Sequence, residues 1–485
     1  MAKNNLKANV IYQTLYQILA TILPLVTSPY ISRVIGSEGL GVYSYTSSVA
    51  TYFMLFAMLG VNNYGAKSIA MVKENRLERS KSFCEIFTLQ IVLTAIFTIA
   101  YFILALSSEK DNLEIAMIQS IIVINCFFEI NWLYFGLEEI KITVIRNCSM
   151  KLLTLVSIFV FVHNAGDLWK YTLIMTLSTL LSELVLFANI RKYIDFVKVE
   201  FHGVIRHLKI NFILFVPILA LSVYHYMDKT MLGLLSTYRE SGYYYNVDRI
   251  INIPTGIITG LGTVMLPRFS QIVGERDKEK FNNLFGKTIE LILCAATPIV
   301  FGIFAISDNF IPWFLGPGYM DCSALLKVMV IVVYFKALSQ AIRTQYLIPC
   351  DKNKEYIIAI TAGAGLNFVI NYFLIIRMGA MGAVIGTLIS EGIVCMDHIR
   401  VANKEIPICT FIEKNVAYPI FGIVMAMGVG FIAYLCDWMN ATILICAEVV
   451  GGAIIYGILI YIYWNIKKTG LFYSEMKKRM PRLFR

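Results

Sequence analysis

Charge is what this chain has least of. Asp, Glu, Lys and Arg make up 15% of its 485 residues, whereas 58% are hydrophobic. A soluble domain carries about 25% charged residues, so the deficit excludes an ordinary water-soluble protein. Paired cysteines are missing too. The ten Cys show no CxxC spacing and no Cys/His cluster, and the five His are scattered. That pattern excludes a transition-metal site and leaves the thiols as small apolar filler. No Walker A loop is present, so ATP is not a direct drive. Gly36, Gly39 and Gly41 form a glycine-rich stretch, but it follows an apolar segment rather than a strand and reads as a tight turn. No nucleic-acid motif accompanies the formal charge of +10. The first apolar segment has no small-residue cleavage site and reads as a retained span.

What is there is apolar sequence in blocks of about 20 residues, enough to cross about 30 Å of hydrocarbon. Fourteen are read, near 10–34, 40–61, 83–106, 113–135, 142–162, 169–190, 210–235, 241–265, 285–306, 324–347, 355–376, 380–399, 416–436 and 441–466. The expected fold class is an all-α integral membrane protein of about 14 transmembrane helices. The loops are asymmetric. One set, with both termini and the bordering span ends, holds 31 Lys and Arg, including Lys67, Lys73, Arg76, Arg79 and Lys81 in one loop. The opposite set holds six: Arg33, Lys110, Lys170, Lys229, Arg239 and Arg377. Positive residues accumulate in the cytoplasm, so both termini are expected there. The segment 467–485 adds seven basic residues and is expected to lie against anionic headgroups.

Short matches recur in order along the chain. Tyr30-Ile31-Ser32-Arg33 pairs with Tyr226-Met227-Asp228-Lys229, Gly41-Val42-Tyr43 with Gly242-Tyr243-Tyr244, Leu59-Gly60 with Leu261-Gly262, and Ile130–Tyr134 with Ile342–Tyr346. The series implies a duplication of six spans, hence two parallel six-helix lobes with a site between them. The expected organisation is an N-terminal lobe over 1–200, a C-terminal lobe over 201–405, two extra helices over 406–466 and a basic tail over 467–485.

Charges inside the spans locate that site. A charge near the centre of a membrane helix costs about 2.5–3.5 kcal/mol on insertion scales, unless it faces water, a partner or a ligand. Within 224–267 the chain carries Asp228, Lys229, Asp248 and Arg249. Arg249 is the leading candidate for an anionic substrate. Arg33 and Lys229, equivalent by the duplication, are expected at the outer mouth, with snorkelling to headgroups as the plain alternative. Lys336 and Arg343 on the tenth span and Lys151 on the fifth are further candidates. Tyr43, Trp132 and Tyr244 stand beside these positions; sugar stacking and ordinary helix packing both account for them. Asn367 and Asn371, four apart, share a helix face.

Four motifs in order carry a family resemblance: PYISRVIGSEGLGVY at 29–43, WLYFGLEEIK at 132–141, MDKTMLG at 227–233, and DRIINIPTG through LP at 248–267. Over residues 1–400 the chain resembles bacterial O-antigen and capsule repeat-unit flippases and the related lipid II flippases. These belong to the multidrug/oligosaccharidyl-lipid/polysaccharide exporter superfamily. The resemblance implies movement of an undecaprenyl-diphosphate-linked oligosaccharide across the bacterial inner membrane by alternating access, with a sodium ion or proton as coupling ion. It implies a polysaccharide polymerase and chain-length proteins as partners, and it implies no enzyme activity. Arg249, Pro254 and Gly256 fall on the pattern R-x-x-x-x-P-x-G of lipid II flippases. The sodium ligands of those proteins fall on Asp228, Asn367, Asn371, Ala383 and Thr387. One departure is Asn371, where an Asp is expected; it removes one negative charge. The alternatives are a drug/cation antiporter of the same superfamily and an integral-membrane polymerase or glycosyltransferase. The short outer loops, with no basic residue in 307–323, disfavour the enzyme.

Overall fold

The computed structural model describes residues 2–107, 110–436 and 438–467, and no strand occurs among them. The basic segment 468–485 lies outside the described residues. The helices are α1 (Ala2–Met58), α2 (Val61–Met71), α3 (Arg76–Leu106), α4 (Lys110–Ile124), α5 (Asn131–Gly136), α6 (Ile140–Phe161), α7 (Leu168–Ala188), α8 (Phe201–Leu235) and α9 (Tyr238–Glu275). They continue with α10 (Lys278–Phe314), α11 (Asp321–Met329) and α12 (Val332–Ile342), which leads into a π-helical turn (Arg343–Leu347). The last are α13 (Asn353–Met378), α14 (Ala380–Ala402), α15 (Ile408–Lys414), α16 (Ala417–Leu435) and α17 (Ala441–Lys467).

Among the described residues, 11 helical stretches are long and apolar enough to cross a membrane. Two of them, Leu19–Met71 and Asn353–Ala402, are 53 and 50 residues long and can each cross twice. The first breaks at Gly36 (φ 80°, ψ 171°) and the second turns at Gly379 (φ 54°, ψ −130°). Both conformations lie at positive φ, which glycine reaches without steric cost. Pro24 and Pro29 lie inside α1 without breaking it. With the 35-residue α8, these helices accommodate the apolar blocks of the sequence. Large apolar side chains point outward throughout, such as Ile103 (66% exposed) on α3 and Phe431 (62%) on α16. Such faces suit lipid rather than water.

The chain forms two compact units, Met1–Tyr245 and Asn246–Arg485. In the first, α1 packs on α3, α4, α6 and α8. Its core is aromatic: fully buried Trp132 stacks on Phe83 with ring centroids 5.0 Å apart. The indole donates to Gln90 Oε1 at 3.1 Å, and the Gln90 amide donates to the carbonyls of Cys126 and Glu129. One side chain thereby ties down the irregular backbone between α4 and α5, where carbonyls would otherwise lack partners. In the second unit α10 is the spine, packed on α11, α12, α16 and α17. The last two helices dock on it through polar clasps. Tyr418 donates to Glu290 at 2.9 Å, Tyr456 to the Cys294 carbonyl at 2.9 Å, and Asn309 to Glu448 at 2.6 Å.

Candidate substrate path and cation site

Arg249 sits on α9, eleven residues after the first residue, Tyr238. At 1.5 Å per residue that is about 17 Å into the helix. The helix starts three residues earlier than the apolar block, so Arg249 lies further from the helix start than from the hydropathy boundary. Gly256 and Gly260 follow at i+7 and i+11, hence on the same stripe of the helix. An added Cβ at either glycine would meet nothing within 4 Å. The half-buried guanidinium therefore continues into a smooth, open helix face.

In the first unit, Arg33 is exposed on α1, three residues before the break at Gly36. The Lys229 ammonium on α8 lies 5.8 Å from the ring centroid of Tyr245. Tyr43 packs on Tyr171 and Tyr245, at 4.9 and 6.0 Å between centroids. Asp228 is 4% exposed and accepts a 2.5 Å hydrogen bond from Tyr244. Tyr43, Tyr244 and Trp132 are all buried, so each makes a packing contact here. Gly41 and Gly242, which stand in matching short motifs, meet face to face. A Cβ on Gly41 would fall 1.7 Å from the Tyr238 carbonyl oxygen, and one on Gly242 would fall 1.8 Å from that of Ser37.

Four of the candidate ion ligands lie together on α13 and α14. The Asn371 amide donates to Asn367 Oδ1 at 3.1 Å, and the Thr387 hydroxyl donates to the Ala383 carbonyl at 2.9 Å. A Cβ on Gly386 would fall 1.9 Å from Asn371 Oδ1, so the bare backbone of α14 lets that carboxamide approach. These oxygens are the hard donors that sodium requires. Asp228 belongs to the other unit. No group of three or more His, Cys, Asp or Glu that could hold a metal occurs among the described residues.

Of the weaker candidates, Lys151 is half-buried on α6. The Lys336 ammonium lies 3.7 Å from Glu391 on α14. Arg343 opens the π-helical turn and stacks over Tyr356, 4.7 Å from its centroid. Sequence reasoning missed a buried network around Arg146 on α6. Its guanidinium donates to Glu183 Oε2 on α7 at 3.1 Å and to Asn131 Oδ1 on α5 at 3.0 Å. The sequence holds only part of the signal: one Arg and one Glu stand in consecutive apolar blocks, and which faces meet is not written there.

Pairs on the side that carries the basic loops fasten helix ends. Arg76 and Arg79 hold the segment after α7: Arg76 donates to Asp195 at 2.7 and 2.8 Å, and Arg79 to the Tyr193 carbonyl. The hydrogen bond from Arg76 keeps the Asp195 carboxyl below the usual carboxylate range. Lys352 plays the corresponding part after α14, donating to Glu405 and to Tyr346 at 2.5 Å each. Burial works against the Lys352 charge, but Glu405 and Tyr346 outweigh it and raise its pKa to about 12. The same contact lowers the Glu405 carboxyl.

A bundle of apolar helices that carries cations within its apolar stretches, together with a cluster of hard oxygen donors, fits a multi-pass membrane transport protein. The chain belongs to the polysaccharide biosynthesis protein family, whose pattern matches residues 6–273. It is 24% identical over 422 residues to the "Putative O-antigen transporter" of Escherichia coli (strain K12), covering 84% of this chain and 99% of that protein. It is 22% identical over 279 residues to the Lipid II flippase MurJ of Bacillus subtilis (strain 168), covering 53% of this chain and 47% of that protein. Its fold matches a solved structure of Lipid II flippase MurJ, inward closed conformation, with a TM-score of 0.74 at 16% identity over 95% of this chain and all of that one. These relatives are named as transporters and flippases, and none as an enzyme.

Proposed function

We propose that this protein flips an undecaprenyl-diphosphate-linked oligosaccharide repeat unit across the bacterial inner membrane. The headgroup enters from the cytoplasmic leaflet, and the site opens alternately to the two sides. The observation that carries the reading is Arg249, held deep in an apolar helix on a face kept open by Gly256 and Gly260. A guanidinium there suits a diphosphate, whose oxygens it engages bidentately. Arg33 and Lys229 attract the anion at the outer end, while the lipid tail stays in the bilayer. The loop asymmetry, 31 Lys and Arg against six, supports cytoplasmic termini.

The oxygens of Asn367, Asn371, Ala383 and Thr387 take a sodium ion, weakly because Asn371 is neutral. Asp228, bonded to Tyr244, is the carboxylate that exchanges a proton or cation. Polymerase and chain-length proteins then consume the exported unit. The protein itself performs no covalent chemistry.

The test is Arg249→Ala and Arg249→Lys in producing cells, with membrane levels of protein matched. Losing a charge-assisted bidentate contact of about 1.5–3 kcal/mol lowers export about 10- to 100-fold. Lys restores part of it. Unchanged export in Arg249→Ala overturns the assignment.

A further inference from the structure

The two halves of the duplication carry one three-helix seam with different chemistry. In the first unit α5, α6 and α7 enclose a compensated cation: Arg146 is 6% exposed, with Glu183 at 3.1 Å and Asn131 at 3.0 Å. The duplication sets Ile130–Tyr134 against Ile342–Tyr346, so Arg343 stands where Asn131 does, and α13 and α14 stand for α6 and α7. The cation has moved onto the first element of the seam. Its counterion has not been kept. Glu183 lies five residues before the end of α7; His398 lies four before the end of α14.

Around Arg343 the donors lack acceptors. Its guanidinium makes a 3.2 Å hydrogen bond to Gln340 Oε1, but Nε is buried without a partner. Tyr356, 4.7 Å away, has a buried hydroxyl without a partner. Its ring lies 5.9 Å from that of His398, which is 1% exposed. His398 Nδ1 is 2.6 Å from Ser339 Oγ, whereas Nε2 is buried without a partner. Gln345 on the same π-helical turn is fully buried, with both amide atoms unmatched. The neighbouring acids are engaged elsewhere: Glu391 with Lys336 at 3.7 Å, Asp397 with Arg400 at 3.0 Å, and Glu405 with Lys352 at 2.5 Å. Buried donors left unmatched cost about 1–3 kcal/mol each, and π-helical turns concentrate at functional sites.

We infer that Arg343, Tyr356 and His398 form a phosphate-binding site in the second unit, the counterpart of the position that Glu183 fills in the first. Phosphate supplies the acceptor oxygens that these donors lack, and the Arg fork matches its geometry. The phosphate is either a free inorganic ion or the headgroup of a lipid. Its use, holding the diphosphate near the side that carries the basic loops, rests on the transport reading; the binding does not.

The experiment is thermal unfolding of the full chain in detergent with inorganic phosphate, with pyrophosphate, and in micelles containing phosphatidic acid or phosphatidylcholine. A ligand that binds only the folded state raises the midpoint with concentration. The expected result is a rise with a phosphate-bearing probe over the phosphatidylcholine control. Arg343→Gln and His398→Gln should each weaken binding at least tenfold. A rise with phosphatidic acid but not with the inorganic ions assigns the site to lipid, and the reverse assigns it to free phosphate. If Arg343→Gln does not fold, His398→Gln decides. The inference is overturned by no rise with any probe or by unchanged binding in both site variants. Loss of export in Arg249→Ala cells bears on the transport reading alone.

Discussion

Arg146 and Arg249 are both arginines inside apolar helices, and the structure treats them differently. Arg146 is buried against Glu183, and removing one partner of a buried pair strands the other. Arg146→Ala is therefore expected to cost about 3–5 kcal/mol of stability, read as a large drop in the unfolding midpoint in detergent. Arg249→Ala is expected to act on transport. The pair Lys352–Glu405 makes a prediction of opposite kind. Glu405, lowered by its bond to Lys352, contributes stability above the ordinary carboxylate range and loses it as pH falls through its lowered value. Lys352, raised to about 12, contributes below its ordinary value and loses it as pH rises through about 12. Glu405→Gln should thus cost about 0.2–1 kcal/mol near pH 7, as exposed pairs do. The gap from the unsubstituted protein should close on acidification, as thermal melts at several pH values can show. At this scale the placement of Asp248 and Arg249 in an apolar block was legible, because charges there demand a reason. The pairing of Arg146 with Glu183 was not, because sequence lists charges without showing which helix faces meet.

Helices were legible as blocks, since hydropathy over about 20 residues responds to the bilayer directly. One break was legible as well: α1 breaks at Gly36, in the glycine-rich stretch that reads as a tight turn. A proline only removes one hydrogen bond from a helix that other helices support, whereas a glycine at positive φ redirects the chain. The π-helical turn at Arg343–Leu347 has no hydropathy signature at all. Gly41 and Gly242 did appear in the sequence, as repeat partners, and the structure gives them a job. Each lets the other helix approach to within a hydrogen's width of a backbone carbonyl, as small residues do between membrane helices. Gly41→Ala or Gly242→Ala should force α1 and the start of α9 apart and destabilise this arrangement by about 1–3 kcal/mol. Cysteine cross-linking between the flanking positions 40 and 243 would report the loss of contact as a slower rate.

For the molecule as a whole, the four motifs in order pointed to the family, because motif order is a property of the linear chain. The two units themselves depend on which helices pack. The first one extends to Tyr245 and includes α8, an allegiance that repeat boundaries alone do not encode. The central claim concerns the cargo. Proteoliposomes holding the purified protein and a fluorescent undecaprenyl-diphosphate-linked oligosaccharide, assayed with and without a sodium or proton gradient, test it most directly. The account predicts movement of the headgroup to the opposite leaflet, faster with one of the gradients and slowed about 10- to 100-fold by Arg249→Ala. Headgroup movement no faster than in protein-free vesicles, under either gradient, would contradict it.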